Sequence, residues 1–231
     1  NPLSVAGEFS RKEVLRVHLR RYPDELKAAL ETITAVTEAF VREVMSTGAA
    51  GLFLAVQHAQ YGTFTEEEYA EFGRPYDLRV LAAARGSWFH LLHLHGEEVM
   101  FDLLADYPVQ VINWHDRETP PTLSEGMARF RGALCGGLRQ WETMVRGDPG
   151  DVRAEALDAI AQTGGRRFIL GTGCVTPIQR ADCPAGERIC GDLVRMRNEA
   201  ARNEPGVALL DAEKRERIAM AAGDNGGNVV R

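Results

Sequence analysis

No apolar stretch in this 231-residue chain reaches the ~18 residues that a membrane-spanning helix needs, so no segment of it is expected to cross a bilayer. Basic charge is also short. The chain has 27 Lys and Arg against 33 Asp and Glu, a net charge of −6. Neutralising a phosphate backbone takes a basic surplus on one face, so a nucleic-acid partner is not expected. Cysteine is scarce, with four unevenly spaced residues. That is no disulfide scaffold; it reads as reduced thiols in a cytoplasmic protein, available for metal or catalysis. The chain opens on Asn-Pro-Leu-Ser, without a basic and apolar leader, so no signal peptide is expected. What is present is ordinary: 45% hydrophobic and 26% charged residues, the balance of a soluble domain that buries a core.

Apolar periodicity carries the secondary structure. Leu26, Leu30, Ile33, Val36, Phe40 and Val44 recur every three or four residues, one stripe of a long helix that Pro23 opens and Gly48 stops. Residues 51–56 are continuously apolar, the pattern of a strand buried on both faces. Thr65 and Glu68 form a capping box for a helix that Gly73 and Pro75 interrupt before it resumes to about Arg85. The pattern then repeats. Strands are expected at 88–94, 109–112, 133–135 and 167–170, and helices at about 97–105, 122–130 and 149–164. Thr122 with Glu125 caps the second of these helices, and Asp148 caps the third. Further helices are expected at about 188–202 and 212–222, before a frayed Gly- and Asn-rich end.

Five buried strands thus alternate with helices, which means parallel strands joined by helical crossovers and an α/β fold. An open doubly wound sheet and a (β/α)8 barrel both satisfy this. No Gly-x-Gly-x-x-Gly follows the first strand, which weighs against a dinucleotide-binding domain. A closed barrel takes eight strands and about 250 residues, so five strands make only part of one.

Reactive side chains gather at the carboxyl ends of the expected strands. His58 follows the first, His93 and His95 end the second, His115 and Asp116 follow the third, and Cys135 and Cys174 lie at the ends of the fourth and fifth. In either architecture that rim is where function resides. His93 and His95 are two apart, so both face one side of their strand while Leu92 and Leu94 face the other. Two imidazoles and the Cys174 thiolate make a three-ligand zinc set with an open fourth position. The alternative is a hydrogen-bonded polar pair beside an inert thiol. His90 falls on the opposite face and reads as structural. Cys183 and Cys190 have no zinc spacing, and Trp88, Trp114 and Trp141 read as packing residues.

Several ordered segments resemble uroporphyrinogen decarboxylase-like proteins. They are the opening Asn-Pro-Leu-Ser, Gly51 to Leu54, the Thr65 to Tyr76 pattern, Ile112 to Asp116 (Ile-Asn-Trp-His-Asp), Cys135 to Leu138, Gly147 to Pro149, and Phe168 to Pro177. The resemblance covers about residues 1–202, leaving 203–231 as a C-terminal helix and tail. It implies a (β/α)8 barrel of which this chain covers roughly strands 3/4 to 8, with residues 1–8 as the end of a third strand. The remaining strands are then expected in the native protein. Failing that, a homodimer would have to cover an exposed sheet face.

Two chemistries come with the resemblance. The decarboxylases act on uroporphyrinogen, a tetrapyrrole, without a cofactor, and carry Gly-His-Gly where this chain has Thr172-Gly173-Cys174. The cobalamin-linked methyltransferases bind zinc through His-x-Cys and a distant Cys. Here His93 and Cys174 match two of those ligands and His95 replaces the middle Cys. Zinc-dependent methyl transfer to or from a thiol or a corrinoid carrier is therefore the favoured expectation. His93, His95 and Cys174 are its ligands, and His58, His115 and Asp116 shape the mouth of the site. Decarboxylation, with Asp116 as the one rim acid on offer, is the alternative, as is a non-catalytic member that binds a tetrapyrrole or a partner.

Overall fold

A computed structural model describes residues 1–176. The helices expected at 188–202 and 212–222, the tail, Cys183 and Cys190 lie outside the described residues. Three helices come first: α1 (Pro2–Ser10), α2 (Lys12–Arg21) and α3 (Pro23–Ser46). The strand end expected at residues 1–8 is therefore a helix. Asn1 caps it by accepting a hydrogen bond from the Ser4 N–H at 3.2 Å, and Pro2 sits in the first turn, where a missing N–H costs nothing. Helix α3 begins at Pro23 as the periodicity predicts. Its buried line, however, is Leu26, Leu30, Thr34 and Val41, while Val36 and Phe40 are each 67% exposed. The packing line against α1, α2 and the helix at Arg74–Ala83 is narrower than the apolar stripe in the sequence.

The rest alternates: β1 (Phe53–Val56), α4 (Glu66–Phe72), α5 (Arg74–Ala83), β2 (Leu91–Leu94), α6 (Phe101–Leu104), β3 (Val111–Trp114), α7 (Leu123–Arg129), β4 (Ala133–Leu138), α8 (Pro149–Thr163) and β5 (Phe168–Thr172). Capping boxes open α4 and α7 at Thr65 and Thr122, where the sequence places them, and the cap expected at Asp148 is a capping box with Asp151. The helix expected at 97–105 shrinks to the single turn α6. Gly96 and Glu98 both have positive φ, a conformation that a right-handed helix cannot include.

All five strands are parallel and pair in sequence order, β1-β2-β3-β4-β5. A doubly wound sheet reverses its strand order partway through; an arc that adds each strand on the same side is barrel topology. Strand side chains alternate between two environments. Leu54, Val56, Leu92, Leu94, Ile112, Trp114 and Leu134 join the core beneath the helices. The other parity faces the concave side. Strand β1 is accordingly not buried on both faces, as its apolar run suggests, because Phe53 is 63% exposed. No helix among the described residues is long and apolar enough to cross a membrane.

Candidate metal centre

Parallel register sets Ala55, His93, Asn113 and Cys135 in one row across β1 to β4 on the concave face. His95 and His115 stand just beyond the carboxyl ends of β2 and β3, and Cys174 stands two residues beyond β5. The row and the strand ends therefore converge. The ring centroids of His93, His95 and His115 lie 5.4 to 6.1 Å apart. One donor atom from each of His93, His95, His115 and Cys174 lies within 4.8 Å of all the others, and Cys174 Sγ is 3.5 Å from His95 Nδ1. The three expected ligands meet, somewhat more loosely than the ~4 Å that direct coordination suggests. The structure adds a fourth, His115, which the sequence places only at the mouth.

These residues fit a metal. The donor set is three imidazoles and one thiol, and His115 Nε2 is buried without a hydrogen-bond partner. The donor atoms stand no more than 4.8 Å apart, so small side-chain rotations would gather them about one ion. Burial favours the neutral imidazoles that metals need. It pushes His93 down to about 4, helped by His95 and His115, and it lowers His95 and His115 as well.

His93, His95 and Cys174 of the cluster line an open cleft of about 650 Å3 whose walls include Phe53, Leu91 and Val175. Cys135 lines the same cleft without joining the donor cluster, and burial raises its thiol to about 11. Asn113 is the residue the sequence reading passes over. Its Oδ1 lies 2.6 Å from His93 Nδ1, and its Nδ2 donates to the carbonyls of Cys135 and Thr172 at 2.8 and 3.0 Å. One signal pointed to it: Asn113 and His115 share the two-residue spacing of His93 and His95.

None of the three residues expected at the mouth lines this cleft; His115 joins the donor cluster instead, and His58 and Asp116 do neither. His58 is 2% exposed, packed edge-on to Phe64, with Nε2 against Gly7 of α1, where a Cβ would collide with the ring. It turns away because α1, read from the sequence as a strand end, supplies a glycine-lined slot. Asp116 is buried beneath β4, where its Oδ1 accepts the Gly137 N–H at 2.9 Å and occupies the space that a side chain on Gly136 would fill. Burial raises its carboxyl to about 6. His90, as expected, is structural, with Nδ1 accepting the Leu52 N–H at 3.1 Å.

Burial of His58 gives the fold an acid-sensitive group. Its folded pKa, about 4, lies below the ordinary 6.5, so the unfolded chain binds the extra proton between those values. Its contribution is complete above pH 6.5 and is lost as the pH falls towards 4. At 1.36 kcal/mol per unit this is up to about 3 kcal/mol. A His58→Leu variant, compared with wild type by urea unfolding from pH 7 to 4, should lose less stability on acidification by about that amount. Equal acid slopes would show that His58 is not held neutral by the fold.

A family model described as uroporphyrinogen decarboxylase (URO-D) matches residues 3–181. Among solved structures, a methyltransferase from Methanosarcina mazei superposes with a TM-score of 0.72 at 19% sequence identity, covering 86% of this chain. This chain spans 56% of the length of that one. No curated protein matches.

Proposed function

This chain belongs to the uroporphyrinogen decarboxylase family, and within it we propose a zinc-dependent methyltransferase that moves a methyl group between a thiol and a corrinoid carrier. The observation that carries this reading is the convergence of His93, His95, His115 and Cys174 at the carboxyl ends of parallel barrel strands. Three of the four suffice for a catalytic zinc, which keeps a remaining position for substrate. Zinc bound there would lower the pKa of a coordinated thiol, so that the nucleophilic thiolate persists at neutral pH.

The chain's own residues supply the rest. The thiolate of Cys174 and two of the neutral imidazoles of His93, His95 and His115 would hold the ion, leaving its fourth position to the substrate thiol. Phe53, Leu91 and Val175 give the cleft apolar walls that suit a methyl group. The described lining carries no charged side chain. It suits a methyl group and a small thiol better than a tetrapyrrole bearing many carboxylates. Asp116, the rim acid that the sequence offers for decarboxylation, is engaged with the β4 backbone instead.

Elemental analysis of the full-length protein, purified without chelator, should find about one zinc per chain. Transfer from methylcobalamin to a small alkyl thiol should stop on removal of the metal and return when zinc is added back. Uroporphyrinogen should not be decarboxylated. Decarboxylation by metal-stripped protein, with no thiol methylation by the loaded form, would overturn the proposal.

A further inference from the structure

The geometry points to Asn113 as the positioning residue of the cluster: its amide holds His93 as the Nδ1–H tautomer, leaving Nε2 to face the metal, and ties the strand end that carries Cys174 to the same point. The consequence for metal binding rests on the function proposed above; the tautomer assignment does not. An Asn side chain has one acceptor and two N–H donors, and which end is which must be read from its partners. Here the partners leave one solution. Nδ2 lies 2.8 Å from the Cys135 carbonyl oxygen and 3.0 Å from the Thr172 carbonyl oxygen. Turning the amide over would press its oxygen against two carbonyl oxygens. Both N–H groups are therefore spent on β4 and β5, and Oδ1 is the atom 2.6 Å from His93 Nδ1.

An amide oxygen only accepts, so His93 Nδ1 must carry the proton. In a neutral imidazole the other nitrogen, Nε2, then holds the lone pair. Outer partners of this kind, donating or accepting at the nitrogen remote from the ion, fix the tautomer and orientation of metal-binding histidines.

The same amide reaches the second ligand. The Thr172 carbonyl that it engages is two residues before Cys174, and the Thr172 hydroxyl donates to the Cys174 carbonyl at 2.5 Å. One side chain on β3 thus links a ligand on β2 to the turn after β5. Neither Leu nor Ala could do this. Asp could accept from His93 but would set a carboxylate against the two carbonyls.

The test begins with wild-type protein and needs no metal. Long-range 1H–15N spectra of the metal-free, 15N-labelled full-length protein report which ring nitrogen carries the proton, and the His93 signals are assigned by their loss in a His93→Gln variant. The expected pattern is a protonated Nδ1 and a bare Nε2. In Asn113→Ala the preference should vanish, and zinc affinity, measured against a chromophoric chelator, should fall about 10–100-fold. Asn113→Asp should restore the tautomer without restoring the affinity, because the ties to Cys135 and Thr172 stay broken. A wild-type His93 protonated on Nε2 overturns the proposal even if no variant folds. So does an Asn113→Ala protein with unchanged tautomer and affinity. A wild type with the expected tautomer but no zinc affinity overturns the metal reading alone and leaves the tautomer assignment standing.

Discussion

A Cys174→Ser variant should bind zinc at least ~100-fold more weakly than wild type and lose methyl transfer to the same degree. Replacing an outer partner of a ligand typically costs 10–100-fold in affinity, and removing a ligand should cost more. Cys174 is also the one member of the set that supplies negative charge. The other three donors are neutral imidazoles held neutral by burial, so the positive ion depends on this sulfur for its charge balance. A serine hydroxyl does not deprotonate near neutrality and is a poorer match for zinc than a thiolate. Chelator competition measures the loss directly, and thermal melting of the metal-free proteins controls for folding. The half-buried Cys174 contributes little to the core, so the two melting points should agree closely. The matched comparison is Cys135→Ser, whose thiol shares the cleft without joining the cluster; its zinc affinity should fall less than about tenfold. If Cys174→Ser keeps wild-type affinity, the ion does not sit on this cluster.

The largest loss of stability is expected from Trp114→Ala, about 3–5 kcal/mol. Trp114 ends β3 on the helix side of the sheet and is fully buried. Its ring meets Phe101 edge to face at 4.9 Å, and its Nε1–H donates to the Pro121 carbonyl at 2.9 Å. Gly126 of α7 packs so closely that a Cβ there would lie 3.0 Å from the indole. Truncation removes the apolar contacts and the aromatic pair, and leaves a buried carbonyl unsatisfied. In a protein of this size each kcal/mol moves the melting temperature by about 2–4 °C, so a fall of roughly 6–20 °C is expected by calorimetry. Trp114→Phe should recover more than half of it, because most of the apolar area returns while the N–H does not. A loss under about 1 kcal/mol for the alanine variant would mean that the helices do not pack on β3 as described. Trp114 stands between Asn113 and His115, so the alanine variant should weaken zinc binding too, through displacement of those neighbours.

The two residues flanking Trp114 mark how far local pattern reaches. Much of what depends on near neighbours in the chain was legible: the helix caps at Thr65, Thr122 and Asp148, the start of α3 at Pro23, and the alternation of strand and helix, though not the helix α1 or the positive-φ residues that shorten α6. The shared face of His93 and His95 was legible for the same reason, since side-chain direction along a strand repeats every two residues whatever lies around it. Strand ends in an α/β fold point to one rim, which places Cys174 near those histidines from the sequence alone.

Tertiary structure decided what depends on curvature and on distant partners. His115 joins the donor set, and His58, which also follows a strand, does not. The difference is the α1 glycine slot that receives the His58 ring, set by Gly7, fifty-one residues earlier in the chain. Along α3, spacing marks Val36 and Phe40 as apolar, but only packing against the other helices selects Thr34 and Val41 for burial. Asn113 is the extreme case. Its three partners are 20, 22 and 59 residues away, on three different strands. No periodicity encodes such a contact, because the chain brings those strands together only when the sheet curves and turns one face inward.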